Sequence, residues 1–235
     1  MSYAIVARCA HTGRLGLAVA SELMSVGHLC WRGARSNVGA TITLAAPRPS
    51  NNTLALELLA QGFEPRQALH LLQANDARFE QRQVALVDRS GRVAAYSGSS
   101  VRQSAQPVTG DGYVAVGHGL PAGLLETLAS AFERNPEEDL ENRLLASLEA
   151  VRESALAATA PPRSVALVVF GRLDHSDIDL RVDLLDDPVA ELRRIFDEYQ
   201  PFAAYYLERG KHPRQALPQM EFADMLAKSR AKEAS

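Results

Sequence analysis

Residues 165–170 form a continuous apolar run, and this run constrains the fold more than any other segment. It reads Val165-Ala166-Leu167-Val168-Val169-Phe170. A strand without polar side chains is typical of a sheet that is covered on both faces. Such a strand needs a packed layer on each side. We therefore expect it to lie inside a layered domain.

The other predicted elements come in groups. Period-two alternation and turn residues predict further strands at 3–7, 15–20, 28–31, 38–44, 84–87, 93–96, 113–116 and 178–184. Apolar residues at helical spacing predict helices around 54–59, 65–72, 124–132, 140–151 and 188–199. This order is not the strict alternation of a doubly wound fold. It predicts an α+β chain with two mostly antiparallel sheets and helices on their outer faces. We expect one domain over residues 1–210 and a polar C-terminal tail or short helix over 211–235.

Composition limits the kinds of partner. The 235 residues carry a net charge of −3, which argues against a chain-wide electrostatic footprint for nucleic acid. The sequence has no apolar stretch near the roughly 20 residues that span a bilayer. Its N-terminus lacks a basic segment followed by an apolar stretch, so we expect no signal peptide. Cys9 and Cys30 do not make a disulfide framework. We expect a cytoplasmic protein that does not bind a membrane, and open sheet edges favour a homo-oligomer.

The N-terminus supplies a candidate nucleophile. Ser2 precedes the first predicted strand, and a small second residue favours removal of Met1. The free α-amino group that results has a pKa of about 7.7–8.0, so part of it is unprotonated at neutral pH. That amine could take the proton of the Ser2 hydroxyl without a histidine.

Two other motifs have simpler explanations. Residues 117–122 match the spacing of a dinucleotide-binding turn, but the second parallel strand that this motif requires does not follow. Asp174, His175, Asp177 and Asp179 could hold a divalent ion, but they lack calcium-loop spacing. We read these segments as a strand-to-helix turn and a polar hairpin turn. We expect no cofactor and no metal.

Four blocks of the chain resemble an uncharacterised bacterial family, domain of unknown function 1028. They lie within residues 2–21, 38–40, 82–98 and 179–194. The first begins Ser2-Tyr3-Ala4-Ile5-Val6-Ala7-Arg8 and the last begins Asp179-Leu180-Arg181-Val182-Asp183. The resemblance implies an N-terminal nucleophile (Ntn) hydrolase fold, which is a four-layer α/β/β/α sandwich. It also implies hydrolysis of an amide bond.

Some positions depart from the pattern of the family. Ala4, Leu44, Arg48 and His118 stand where the resemblance implies serine, glutamine, asparagine and asparagine. Different residues there would mean another substrate or a lost activity. The alternative function is therefore a catalytically inactive protein that binds a small molecule on the same fold.

Candidate roles follow from the hydrolase hypothesis, with a small molecule as substrate. Ser2 is the nucleophile, Ser21 orients the terminus, and Arg35 or Arg32 supplies the positive charge that lowers the pKa of the amine. Arg163 and Ser164 precede the buried strand and could point into a cleft. The candidate substrate-binding residues are Arg32, Arg48, Ser50, His118, Arg163 and Ser164.

Overall fold

The computed structural model describes residues 1–154 and 161–233. The ten strands in these residues are β1 (Ser2–Arg8), β2 (Leu15–Ser21), β3 (Ala34–Arg35), β4 (Gly39–Ala45), β5 (Arg82–Asp88), β6 (Val93–Ser97), β7 (Val108–Gly110), β8 (Tyr113–His118), β9 (Ser164–Phe170) and β10 (Ser176–Val182). The six α-helices in the same residues are α1 (Pro49–Ala60), α2 (Pro65–Asn75), α3 (Leu124–Glu133), α4 (Leu140–Glu153), α5 (Pro188–Lys211) and α6 (Gln219–Glu233).

The strands form two antiparallel sheets. The six-stranded sheet has the order β10-β9-β2-β1-β8-β7, and the four-stranded sheet has the order β3-β4-β5-β6. Every ladder within them is antiparallel. The predicted α+β class with two antiparallel sheets is therefore confirmed.

The two sheets face each other across an apolar core. One face of β1, β2, β8 and β9 meets one face of β4 and β5 in a single buried cluster. On the outer sides, α3 and α4 cover the six-stranded sheet, while α1 and α2 cover the four-stranded sheet. The apolar strand β9 lies in the interior of the larger sheet, between β10 and β2. It contributes Ala166 and Val168 to the inter-sheet core and contacts α4, so both of its faces are covered as predicted.

The predicted strand at 28–31 is wrong. The structure has a 3-10 helix at Val26–Cys30 in its place. Ser25 adopts a left-handed conformation with φ of 58°, and the His28 amide then donates to the Ser25 carbonyl. The amide of Val26 donates to the Ser164 hydroxyl at 3.0 Å. These bonds hold the segment in a tight turn that leaves no extended backbone for a sheet.

The chain divides into two compact units. The first, Met1–Arg193, contains both sheets and α1 to α4, and the second, Arg194–Ser235, contains most of α5 and all of α6. The predicted domain limit at residue 210 stays a prediction, because a compact unit is not by itself an independently folding domain. Among the helices within residues 1–154 and 161–233, none combines the length and the apolar character that crossing a bilayer requires.

Candidate functional site

Three serines lie side by side where β1, β2 and β9 meet the end of the inter-sheet core. Ser2 is the register partner of Ser21, and Ser21 is the register partner of Ser164. Directly opposed residues of antiparallel strands point to the same face of a sheet. Ser2 and Ala4 are two residues apart on β1 and so share a face, and Ala4 belongs to the inter-sheet core. All three serine side chains therefore face the space between the sheets. We call Ser2, Ser21 and Ser164 the serine row.

Hydrogen bonds hold the serine row in place. The hydroxyl oxygens of Ser2 and Ser21 lie 2.8 Å apart, and either can be the donor. Ser21 Oγ also accepts the Leu23 amide at 3.1 Å. Ser164 Oγ donates to the Leu23 carbonyl at 2.5 Å and accepts the Val26 amide at 3.0 Å. All three serines are buried, so these bonds offset the cost of taking hydroxyls out of water.

In the chain that includes Met1, this residue covers the Ser2 hydroxyl. Its carbonyl oxygen accepts the Ser2 hydroxyl at 2.8 Å, the Ser21 hydroxyl at 3.2 Å and the Glu22 amide at 3.2 Å. Its ammonium group pairs with the carboxylate of Glu22. A Cβ atom on Gly119 would lie 3.2 Å from Met1 Cα, so the chain after β8 packs closely against this residue. An acyl carbonyl next to the Ser2 hydroxyl is therefore surrounded by donors.

Two polar side chains complete the site. His118 is the register partner of Ser2 on β8, so it extends the serine row to the other side. Gln83 is wholly buried on the inter-sheet face of β5, and its Nε2 donates to the Gly117 carbonyl at 2.8 Å. Among the described residues, Gln83 Oε1 and His118 Nδ1 are buried atoms without a hydrogen-bond partner. Each of these two atoms therefore has capacity for one further hydrogen bond.

Burial favours the neutral form of the His118 imidazole. Burial lowers the pKa of His118, the N-terminal ammonium lowers it further, and Glu22 opposes the shift. At pH 7 the ring therefore carries no charge and can accept or donate a hydrogen bond.

A cleft of about 320 Å³ adjoins His118. Its other walls are the end of β4 with Ala46, Gln81 just before β5, and residues 100–102, which include Arg102. A cleft of this size is at the lower end of the range for small-molecule sites. It gives the end of the serine row a neighbouring space for a ligand.

The structure brings part of the predicted site together. Ser2, Ser21, Ser164 and His118 form one row, and Arg163 lies beside it with its amide donating to the Ser21 carbonyl at 2.7 Å. The side chain of Arg163 is exposed, so its charge reaches solvent at this edge.

Two of the predicted substrate-binding residues have other surroundings. Arg48 lies at the start of α1, where its guanidinium is 3.5 Å from Asp76 and donates to the Asn75 carbonyl at 3.3 Å. Ser50 is exposed on the first turn of the same helix. The structure gives neither residue a contact with the serine row.

Arg32 and Arg35 lie at the other end of the sheets. Strand β9 runs from Ser164, beside Ser21, to Phe170, beside Leu15. Arg32 and Arg35 line a cleft with Phe170, so the seven-residue strand separates them from Ser2 by about 20 Å. The expectation that Arg35 or Arg32 tunes the amine of Ser2 needs a correction, because a solvent-exposed charge at that distance is largely screened.

The acidic turn near residue 175 has ordinary partners. Asp177 lies 3.3 Å from the Arg14 guanidinium, and His175 Nδ1 is 3.0 Å from the Ser176 carbonyl. Arg14 also holds Glu141 through two hydrogen bonds of 2.7 and 2.6 Å. The ion pairs agree with a polar hairpin turn.

Glu22 and Gln83 also lie at the site, and neither was predicted from the sequence. Gln83 interrupts the apolar face that Ala85 and Val87 form on β5, and a polar residue on such a face is a detectable signal. Glu22 directly follows β2, but only the pairing of β1 with β2 brings it to the N-terminus. No local pattern in the sequence indicates that contact.

The comparisons agree with the resemblance that the four sequence blocks indicate. Residues 2–192 match the family described as "Family of unknown function (DUF1028)". The crystal structure of protein SPO2555 from Silicibacter pomeroyi, also described as DUF1028, is similar with a TM-score of 0.75 and 27% sequence identity. The similarity covers 85% of this chain and 89% of that one. No curated protein matches the chain.

Proposed function

The chain belongs to the DUF1028 family, and we propose that it is an Ntn-type amidohydrolase that cleaves a small amide or related acyl compound. One observation carries the proposal. The Ser2 hydroxyl lies at the start of β1, faces the space between two stacked sheets, and is 2.8 Å from a second hydroxyl. With a free α-amino group, Ser2 would carry both the nucleophilic hydroxyl and the amine that acts as its base.

Removal of Met1 would create the active form. The volume that Met1 fills, between Glu22 and Gly119, would become open to a substrate. The amine of Ser2 would take the hydroxyl proton while Ser2 Oγ attacks the substrate carbonyl. The C–N bond then breaks, the amine product leaves with that proton, and water hydrolyses the seryl ester.

The surroundings of the Met1 carbonyl support a site for the developing oxyanion. The Ser21 hydroxyl and the Glu22 amide both donate to that oxygen at 3.2 Å. Once Met1 is absent, the same donors would be free to hold a substrate oxygen. His118 and the adjoining cleft with Arg102 would contact the rest of the substrate. Arg163 and Ser164 would line the opposite side.

The test begins with mass spectrometry of untagged protein. We expect the mass of the chain without Met1, and turnover of at least one compound in a panel of small amides and lactams. Ser2→Ala should lower turnover by about a thousandfold or more, because it removes the nucleophile. Ser90→Ala, a change at an exposed serine in the turn after β5, should leave turnover unchanged. Active protein that retains Met1, or an active Ser2→Ala variant, would end the mechanism.

A second candidate is a binding protein without catalysis. While Met1 is attached, the nitrogen of Ser2 is an amide and cannot act as a base, and Met1 covers the hydroxyl. Ligand-induced thermal stabilisation without turnover would favour this function. The expected homo-oligomer and cytoplasmic location stay predictions.

A further inference from the structure

A second cleft, of about 500 Å³, lies at the opposite end of the sheets from the serine row. The chain after the 3-10 helix, helix α1 and the segment after β9 form its walls. The side chains that matter here are Trp31, Arg32, Arg35, Glu57, Phe170 and Asp174. Its volume falls within the range of small-molecule sites.

The charges of this cleft are balanced and unpaired. It carries two arginines, Arg32 and Arg35, and two carboxylates, Glu57 and Asp174. Elsewhere in the described chain, many arginines hold a carboxylate, as Arg14, Arg82 and Arg193 do. Within residues 1–154 and 161–233, none of the four charged groups of the cleft has an ion-pair partner. Both signs of charge are therefore available to one ligand.

Trp31 and Phe170 supply apolar walls. Trp31 is 58% exposed, which is unusual for the single tryptophan of a chain. The guanidinium of Arg32 lies 4.7 Å from the centre of the Trp31 ring, a cation–π distance that orients Arg32. Arg32 itself has a φ of 50°, a strained backbone conformation for a residue with a side chain. The guanidinium of Arg32 therefore lies against the Trp31 ring at this cleft.

We propose that this cleft binds a small zwitterion with an apolar side chain, namely a free amino acid or a short peptide. Arg35 and Arg32 would hold the carboxylate, and Glu57 and Asp174 would hold the ammonium group. The apolar part would pack on Trp31 and Phe170. A nucleotide or another polyanion fits less well, because Glu57 and Asp174 would face its negative charges.

L-phenylalanine is the probe for this site, with L-phenylalaninamide and N-acetyl-L-phenylalanine as matched ligands that each lack one charge. Isothermal titration with the full chain should give saturable binding of L-phenylalanine with a Kd of about 1 mM or tighter. Each charge-blocked ligand should bind about tenfold or more weakly, because one charge-assisted hydrogen bond is lost. No saturable binding of L-phenylalanine would overturn the proposal.

Variants of the cleft test which side chain holds the carboxylate of the ligand and which holds its ammonium group. Arg35→Gln should weaken L-phenylalanine about tenfold and leave the amide unchanged, since the amide has no carboxylate to lose. Glu57→Gln should weaken L-phenylalanine and leave the N-acetyl ligand unchanged. Both changes are at exposed side chains, and Arg134→Gln, at an exposed arginine beyond α3, is the matched control that should have no effect. Equal weakening of both members of a ligand pair would refute the assigned contacts.

The test is independent of the proposed hydrolase. Ser2→Ala should bind L-phenylalanine like the wild type, because the serine row lies at the other end of β9. Loss of binding in Ser2→Ala would place the ligand at the serine row and overturn the second site. Trp31→Leu should weaken L-phenylalanine severalfold while amide turnover stays unchanged.

Discussion

The buried polar residues between the sheets have a chemical explanation at the level of single side chains. A hydroxyl or amide that is removed from water destabilises the fold unless it is hydrogen-bonded. The serine row meets this requirement through mutual and backbone bonds. Gln83 and His118 each keep one buried atom unbonded within the described residues, and such atoms are rare in folded proteins. Their cost is consistent with a ligand that completes the bonds.

The titration of His118 makes stability depend on pH. Burial lowers its pKa in the folded state, so between that value and about 6.5 the unfolded chain binds more protons than the folded chain. The contribution of the neutral ring is therefore complete above about pH 6.5 and is lost as the pH falls. His118→Asn should remove this part of the acid destabilisation. Urea unfolding of the wild type and of His118→Asn between pH 5 and pH 7.5 measures this pH dependence of the unfolding free energy.

A control histidine makes this measurement specific. His70→Asn, at an exposed position of α2, should leave the pH dependence unchanged. The prediction fails if the difference in unfolding free energy between the wild type and His118→Asn is constant over that pH range.

Asp76 is a second buried titrating group, and it stabilises the junction after α2. Burial alone would raise its pKa, but hydrogen bonds from Arg82, Asn51 and the Arg78 amide hold the pKa well below its usual value. The carboxylate therefore stabilises the fold above pH of about 3.9, and this stabilisation is lost as the pH falls further. Asp76→Asn should lower the free energy of unfolding by about 3 kcal/mol at pH 7.

The matched control for Asp76 is an exposed aspartate. Asp111→Asn, in the turn before β8, should change the unfolding free energy by less than about 0.5 kcal/mol. If urea unfolding shows equal and small effects for both variants, the network around Asp76 contributes little to stability.

At the level of elements, local patterns predicted most strands but not the 3-10 helix. Runs of apolar residues predict β1, β2, β5 and β9, and the structure buries nearly every residue of these four strands. Residues 28–31 are apolar and aromatic, so the same criteria indicate a strand there. The turn depends on the Ser164 hydroxyl, which accepts the Val26 amide from 138 positions away. No window of sequence contains that interaction.

Close backbone contact at Gly98 fixes the end of β6. An added Cβ atom would lie 2.7 Å from Glu80 Cα and closer still to the Glu80 carbonyl. The Gly98 amide also donates to the Arg82 carbonyl at 2.9 Å, so the segment cannot move freely. Gly98→Ala should therefore lower the free energy of unfolding by about 2 kcal/mol, because two backbone segments must separate.

Urea unfolding of Gly98→Ala is compared with Ser100→Ala, a change at an exposed residue two positions later. The control should unfold like the wild type. A wild-type midpoint for Gly98→Ala would mean that the backbone around Glu80 can shift at little cost.

At the level of the whole molecule, the site was predictable where it depends on chain position and unpredictable where it depends on register. Ser2 follows from its place next to Met1, and Ser21 and Ser164 from their places at strand ends. These residues form one row only because β1 pairs with β2 and β2 pairs with β9. The sequence likewise does not show that Arg35 reaches the opposite end of the sheets from Ser2.

The division of the chain into two compact units predicts that the C-terminal segment is dispensable for the stability of the first unit. Both sheets, α1 to α4 and the inter-sheet core are built from residues within Met1–Arg193. None of the described side chains from 211 to 230 is buried. In the second unit, Phe222 stacks on Tyr205 with ring centres 4.3 Å apart, and Tyr205 donates to the Leu217 carbonyl at 2.9 Å.

A chain that ends at Gly210 tests this prediction together with the expected domain over residues 1–210. We expect the free energy of unfolding in urea, measured by near-ultraviolet circular dichroism, to differ from that of the full chain by less than about 0.5 kcal/mol. The far-ultraviolet signal should lose the helical contribution of α6, and the ring of Tyr205 should become more exposed. The matched variant is Phe222→Ala in the full chain, which removes the same ring contact without shortening the chain. A truncated chain that loses its cooperative transition, while Phe222→Ala keeps it, would show that residues after 210 belong to the folding domain.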